Sequence, residues 1–79
     1  MSTKRIIIGG IYRHYKGDLC KVLSLVQHSE TLETMVHYLD LNNGTEWVRD
    51  EKMFLEKLEI NGETVERFKF VKVKAFIKT

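Results

Sequence analysis

Apolar residues recur at every second position in several short stretches of this 79-residue chain, a period typical of β-strands. The pattern predicts strands over residues 10–15, 19–26, 34–41, 45–49 and 69–78, and a further strand-like segment from 65 to 68. The stretch 19–26 is apolar at both parities, so we expect it at the centre of a sheet.

Short turn signals separate the predicted strands. Gly17 closes a tight turn with Lys16 and Asp18, and two Asn-Gly pairs, at 43–44 and 61–62, are strong signals for hairpins because both residue types tolerate positive φ. Consecutive strands joined this way are expected to pair antiparallel.

The alternation breaks between residues 50 and 55. Asp50 stands at a potential N-cap and Glu51 follows it, a combination that suits the positive end of a short helix or 3₁₀ turn. From this segment and the one after it, we expect Met53, Phe54 and Leu58 to fill the core.

Length and pattern together predict the fold class. With 79 residues and 43% hydrophobic content, the chain suits a single domain over residues 1–79. Several short strands separated by glycine turns favour a mainly β fold, and we predict a small SH3-like, partly open barrel of about five strands with a short helical turn. An OB-like barrel is the alternative.

The cysteine content and the hydropathy of the chain indicate its cellular compartment. Cys20 is the only cysteine, so an internal disulfide is impossible and a reducing compartment is expected. The apolar run near the start is short and broken by Gly9 and Gly10, which argues against a signal peptide, and no stretch approaches the length of a membrane span. We therefore expect a cytoplasmic protein without membrane contact.

Charge is distributed unevenly although the net charge is only +2. Residues 1–16 and 67–79 carry basic side chains and no acid, whereas the middle carries all eleven carboxylates against four basic residues, a net charge of −7. Basic end strands lying against an acidic middle would explain this. Lys72, Lys74 and Lys78, interleaved with Phe70 and Phe76, either protect an edge strand from aggregation or hold a single nucleic-acid strand.

The segment 27–38, QHSETLETMVHY, concentrates side chains that could carry chemistry. His28-Ser29-Glu30 matches the H-x-E core of zinc deaminases, but those enzymes also need a Pro-Cys-x-x-Cys element, and this chain has one cysteine and no proline. Ser29 and His28 are neighbours in sequence and would face opposite sides of a strand, which disfavours a nucleophile and base pair. A metal site that combines His14, His28 or His37 with Glu30 or Glu33 is conceivable, but histidines in strands usually do not ligate, so we predict no metal and no cofactor.

Five ordered motifs resemble a known family. They are GIYRHYKG at 10–17, HSETLE at 28–33, VHY at 36–38, WVR with MF at 47–49 and 53–54, and RF at 67–68. Together they are similar to the bacterial domain-of-unknown-function family 1653 over residues 10–68, with a strand-like extension over 69–79. The resemblance implies a domain but no activity, and it implies signature positions at Arg13, His14, Tyr15, His28, Ser29, Glu30, Thr31, Glu33, Trp47 and Arg49.

The resemblance also has departures. Cys20 stands where an aromatic residue is expected, and Asp50 and Glu66 stand where prolines are expected. Without the proline, the turn after Arg49 is expected to be less rigid.

Three hypotheses follow for function. The leading hypothesis is a non-enzymatic module that binds a peptide or a nucleic acid. It would bind through one shallow patch formed by Arg13, His28, Glu30, Tyr38, Trp47 and Arg49. The sequence leaves its oligomeric state open. The full set of predicted ligand-binding residues is Arg13, Tyr15, His28, Ser29, Glu30, Thr31, Glu33, Tyr38, Trp47 and Arg49. The second is a small hydrolase-like or small-molecule site with His28 as base and Glu30 or Glu33 as its orienter.

The third hypothesis gives the polar segment a purely structural role. Arg13 and Arg49 would pair with Glu30 and Glu33 and hold the loop shut. From the residue pattern alone, the segment is also explained by a turn in which Ser29 or Thr31 bonds its own backbone.

Overall fold

The computed structural model describes residues 5–73, which form two antiparallel sheets and one short helix. The elements are β1 (Gly10–His14), β2 (Leu19–Gln27), β3 (Thr34–Asp40), β4 (Glu46–Asp50), α1 (Glu51–Phe54), β5 (Lys57–Ile60), β6 (Glu63–Glu66) and β7 (Phe68–Val73). Five strands form one sheet in the order β4-β3-β2-β1-β7, and β5 pairs with β6 in a separate hairpin.

The predicted mainly β class is confirmed, as are the antiparallel pairing and the central place of β2. The five-stranded sheet is open, with β4 and β7 at its two edges, so the fold is not a closed barrel. Residues 57–66 form the separate hairpin and do not extend the main sheet. The likeness to an SH3-type barrel, or alternatively to an OB-type barrel, stays a prediction.

The core lies on one face of the main sheet, called here the front face. Tyr12, Val22, Val36 and Tyr38 point into it, and Phe54 of α1 closes it from above with no exposed surface. The Phe54 ring stacks on Phe68 with centroids 4.1 Å apart and planes 5° apart. Aromatic residues therefore dominate the packing of this small domain.

Helix α1 begins as the sequence predicts, because the Asp50 carboxylate accepts a hydrogen bond of 2.7 Å from the backbone N–H of Lys52. Phe54 enters the core as expected, but Met53 is 44% exposed and Leu58 is only half-buried. Neighbouring helical residues point about 100° apart, so a single turn directs only one of Met53 and Phe54 inwards. Within residues 5–73, no helix has the length and apolar character needed to cross a membrane.

A bulge in β2 changes which residues share a face. Val22 pairs with Tyr38 but Ser24 pairs with His37, so Leu23 is the extra residue. Strict alternation along residues 19–26 would place Val26 on the face of Val22 and Leu25 on the other, and the bulge reverses this. Beyond the bulge, Leu25 shares the front face and Val26 lies on the back.

A second bulge changes the lysine-rich strand. Phe70 lies opposite Tyr12 and Lys72 lies opposite Ile11, which leaves Val71 as the extra residue. Because Ile11 and Tyr12 face opposite sides of the sheet, Phe70 and Lys72 do too. The predicted ladder that combines Phe70 with Lys72 on one face is therefore wrong; its continuation through Lys74, Phe76 and Lys78 lies outside the described residues.

The two Asn-Gly turns differ. Asn61 and Gly62 both have positive φ, 51° and 82°, as a two-residue hairpin turn requires. At the other turn only Gly44 does, with φ of 77°, and its N–H donates to the carbonyl of Asp40 at 2.8 Å. That connection is a longer loop between β3 and β4.

Candidate functional site: an aromatic cleft around Arg49

A cleft of about 280 Å³ opens on the front face, where β1, β3, β4 and the start of β7 meet. We name it the Arg49 cleft. Its lining residues are His14, Lys16, Asp18, Leu19, Cys20, Tyr38, Asp40, Trp47, Arg49 and Phe68.

Strand register explains how the aromatic and cationic residues come together. Tyr38 of β3 lies opposite Trp47 of β4, and Val36 lies opposite Arg49. Since Tyr38 and Val36 are buried in the front-face core, Trp47 and Arg49 share that face. Trp47 stands on the edge strand and keeps 51% of its surface exposed, which makes it the rim of the cleft.

The Arg49 side chain has hydrogen-bonding capacity left over. Its guanidinium carbon lies 5.8 Å from the centroid of the Phe68 ring, within the range of a cation–π interaction. Its Nε atom is buried and has no hydrogen-bond partner within residues 5–73. A planar guanidinium held on an aromatic wall suits recognition of a carboxylate.

His14 contributes a neutral ring to the same wall. The ring packs edge-on against Phe68 with centroids 4.9 Å apart, and its Nδ1 accepts a hydrogen bond of 3.2 Å from the backbone N–H of Lys16. Burial lowers the pKa of His14, and the positive charges of Arg49, Arg67 and Lys16 lower it further against the opposing effect of Asp18. The neutral ring therefore carries its proton on Nε2, which can donate to an acceptor.

Cys20 lies in the floor of the cleft and is chemically quiet. Burial, followed by the charge of Asp40, raises the pKa of its thiol to about 12. A thiol with that pKa is protonated at neutral pH and is a poor nucleophile.

The HSETLE segment is a self-contained turn between β2 and β3. The Nδ1 atom of His28 accepts hydrogen bonds from the backbone N–H groups of Glu30 and Thr31, at 3.1 and 3.2 Å. Thr31 Oγ1 accepts another from the N–H of Glu33 at 3.2 Å. The predicted local bond from a hydroxyl side chain is confirmed at Thr31, and residues 28–33 are all exposed. The sequence did not reveal that the His28 ring itself organises the turn.

The structure does not bring the predicted patch together. Tyr38, Trp47 and Arg49 line the Arg49 cleft, but residues 28–33 lie beyond the opposite end of β3 from Tyr38 and Trp47. Arg13 lies opposite Leu19 and Lys69, on the back face. The prediction of one shared patch is therefore wrong, because β-sheet register separates its members.

Arg13 and Tyr15 instead border a second cleft of about 620 Å³, between β1 and the β5–β6 hairpin. Its walls carry Arg13 and Lys69 together with Glu63 and Glu66. The formal charges balance in both clefts, and we judge the Arg49 cleft the better candidate site because its guanidinium lies over Phe68 with a buried Nε that has no partner within residues 5–73.

The predicted ion-paired loop is also wrong. No salt bridge joins Arg13 or Arg49 to Glu30 or Glu33 within the described part of the chain. The Arg67–Glu56 pair, at 3.0 Å, ties the base of the β5–β6 hairpin instead.

A hydrogen-bonded chain on the back face was missed by the sequence reasoning. Ser24 Oγ lies 3.2 Å from His37 Nδ1, and His37 Nε2 lies 2.8 Å from Glu46 Oε1. These residues come from three adjacent strands, and only a register that includes the Leu23 bulge pairs Ser24 with His37. On this open face of the sheet, the two hydrogen bonds act as contacts between side chains of adjacent strands. Among residues 5–73, no three His, Cys, Asp or Glu side chains form a cluster that could hold a metal ion.

Comparison with known proteins identifies the family. Residues 10–70 match the model of a family described as "Protein of unknown function (DUF1653)". The chain belongs to this family. A crystal structure of a DUF1653 protein from Bordetella bronchiseptica is similar, with a TM-score of 0.75 and 29% identity over 87% of this chain and 92% of that one. No curated protein matches the chain.

The DUF1653 resemblance set out from the motifs is thus confirmed, and three of its signature positions, His14, Trp47 and Arg49, meet in the Arg49 cleft. At Asp50, where a proline is expected for the family, the structure uses the carboxylate as helix N-cap. Strand β7 continues to Val73, past the end of the family match, so part of the extension pairs with β1.

Proposed function

We propose that this DUF1653 domain is a non-enzymatic binding module whose Arg49 cleft receives the carboxylate side chain of a partner peptide. The observation that carries the proposal is the Arg49 guanidinium, which lies over Phe68 and whose buried Nε has no hydrogen-bond partner within residues 5–73. An acidic side chain in the cleft would compensate the charge of this guanidinium, and the Nε2–H of His14 supplies a neutral donor on the same wall.

The size of the cleft supports recognition of one side chain within a longer chain. Its volume of about 280 Å³ lies just below the range of about 300–1,000 Å³ that encloses whole small molecules. Trp47 at the rim adds apolar contact area for the residues on either side, as exposed aromatic anchors do in interfaces.

A peptide suits the cleft better than a nucleic acid. Lys16 and Arg49 share its lining with Asp18 and Asp40, so its formal charges balance. Binding to a phosphate backbone draws on several unopposed cations, whereas a single carboxylate needs only one. Of the lysines proposed for nucleic acid, Lys72 lies on the back face, away from this cleft.

The hydrolase alternative at His28 finds no support in the geometry of its turn. Two backbone N–H groups occupy Nδ1, so the neutral ring is protonated on Nε2 and has no free lone pair for a base. The turn is exposed to solvent, and neither Glu30 nor Glu33 contacts the His28 ring through a side-chain hydrogen bond.

The lone buried thiol of Cys20 suits a reducing compartment, and we infer a cytoplasmic location.

Amide and indole chemical shifts would test the proposal. Titration of the ¹⁵N-labelled protein with acetyl-Gly-Glu-Gly-amide is expected to shift the Trp47 indole and the amides of Tyr38 and Arg49, and the glutamine version of the peptide should shift them less. Arg49→Gln should weaken binding about tenfold, equivalent to about 1.4 kcal/mol. Arg13→Gln is the matched control, since Arg13 is a signature arginine on the other face, and it should bind as the wild type does. Equal responses to the two peptides, or shifts confined to residues 28–33, would contradict the proposal.

A further inference from the structure

We propose that a partner chain joins the main sheet as an additional antiparallel strand along β4. The inference rests on the proposed function, because the same chain would place its acidic side chain in the Arg49 cleft beside that strand.

The two edges of the sheet are protected to different degrees. Strand β7 carries Lys69 and Lys72 and a bulge at Val71, devices that discourage edge-to-edge pairing. Strand β4 has neither lysine nor proline and pairs with β3 through five consecutive residues without a bulge. Its Trp47 and Val48 are 51% and 56% exposed. An edge this regular, without lysine, proline or a bulge, is a template for strand addition, although three of its five side chains are charged.

The outer side of β4 also lacks a partner among residues 5–73. Within residues 5–73, no backbone hydrogen bond reaches β4 from any segment other than β3. Helix α1 follows β4 directly and sends Phe54 into the core on the front face, so it leaves the strand edge open.

The charges along β4 indicate which kind of strand would pair with it. Trp47 and Arg49 project to the front face, and Glu46, Val48 and Asp50 project to the back. A second copy pairing antiparallel about Val48 would set Glu46 opposite Asp50 twice, and like charges directly opposite are destabilising. In this register basic residues opposite both carboxylates are favoured, and we assign the edge to a strand of another protein that carries them.

Complementarity defines the sequence of that strand. It carries basic residues opposite Glu46 and Asp50, an acidic residue opposite Arg49, and an aromatic residue opposite Trp47. Glu46 already bonds His37 through Oε1, and its second oxygen is available to a cation.

The test uses a synthetic probe, acetyl-Thr-Lys-Glu-Val-Tyr-Lys-Thr-amide, which places these residues in antiparallel order. A control peptide of the same composition, acetyl-Thr-Glu-Lys-Val-Lys-Tyr-Thr-amide, puts lysine towards Arg49. Calorimetric titration is expected to show the first peptide binding about tenfold more tightly than the second.

Backbone methylation separates strand addition from side-chain capture. In an antiparallel ladder alternate N–H groups of the peptide face β4, so two probes methylated on opposite sets of alternate nitrogens must differ, one losing binding and the other retaining it. On the protein, Val48→Lys should weaken the probe about fivefold or more by placing a cation on the open edge. Val71→Lys, on the edge that is already protected, should not change the affinity.

Each outcome decides between the two proposals. Binding that is equal for both methylated probes and unaffected by Val48→Lys would overturn strand addition and leave the carboxylate site intact. Failure of the unmethylated probe to bind the wild-type protein would overturn strand addition, while the Gly-Glu-Gly titration would still report separately on the Arg49 cleft. Sedimentation showing a dimer that Val48→Lys dissociates would assign the edge to a second copy and overturn the proposal.

Discussion

At the scale of single residues, His14 and Arg49 place polar groups in the cleft directly beside the core. Each packs against the ring of Phe68, and burial together with the cationic neighbours of His14 lowers its pKa and favours its neutral state. The Arg49 charge therefore remains the main electrostatic feature of this wall, and His14 adds a directional donor without a second charge.

The lowered pKa of His14 predicts a pH-dependent stability. The unfolded chain takes up a proton at the ordinary pKa of 6.5, whereas the folded chain takes it up only at lower pH. The free energy of unfolding should therefore fall as the pH drops below 6.5 and continue to fall until the folded His14 is protonated.

Urea denaturation of the wild type and His14→Asn between about pH 7.5 and pH 5.5 would measure this effect. The variant cannot titrate at this position, so the wild type should lose more stability over the interval. Identical losses would show that folding leaves the affinity of His14 for protons unchanged.

At the scale of elements, the strands could be predicted closely from the sequence, but the faces of two of them could not. Apolar alternation and turn residues located β1, β2, β3 and β4 to within about two residues, and Asp50 marked the start of α1. The bulges at Leu23 and Val71 left no clear signal, because each adds one residue to a strand of ordinary composition. Every residue beyond a bulge then faces the side opposite to the one its parity predicts.

The start of β1 illustrates a steric requirement for glycine. A Cβ atom added at Gly10 would lie 2.9 Å from the carbonyl oxygen of Ile7 and 3.2 Å from the rings of Tyr12 and Phe70. Gly10→Ala should therefore lower the free energy of unfolding by about 1–3 kcal/mol through overpacking.

Comparison with Gly62 checks the cause. Gly62 has open space around it but a φ of 82°, so Gly62→Ala should destabilise the protein through backbone strain and Gly62→Asn should recover part of the loss. At Gly10 the larger asparagine should be worse than alanine. A recovery by asparagine at Gly10 would contradict the steric explanation.

At the scale of the whole molecule, the mainly β class followed from the sequence, whereas the site did not. Tyr38, Trp47 and Arg49 were identified as binding candidates, and they do share a cleft. Arg13 and the HSETLE segment were grouped with them on family motifs, but neighbouring motifs in sequence do not share a face unless strand register brings them together. His14 was considered as a metal ligand and as a signature position but not as part of the patch, since its role depends on its contact with Phe68, which is distant in sequence.

Phe54 supports both the core and the wall of the cleft, so its removal should be costly. Phe54→Ala should lower the free energy of unfolding by about 3–5 kcal/mol, because it leaves a cavity above Phe68. For a small domain this is a large part of the total of about 5–15 kcal/mol.

Urea denaturation with circular dichroism detection would measure the loss, with Val48→Ala as an exposed control that should change stability by about 0.5 kcal/mol or less. A similar loss in both variants would mean that Phe54 does not hold the sheet and helix together.

The β5–β6 hairpin stands outside this cooperative core. None of its residues is among the buried side chains, and a salt bridge and a backbone bond between Arg67 and Glu56 anchor its base. Insertions at its tip, Asn61-Gly62, should therefore change the free energy of unfolding only slightly. The domain carries a built-in site for diversification next to the cleft that Arg13 borders, at some distance from the surface proposed for binding.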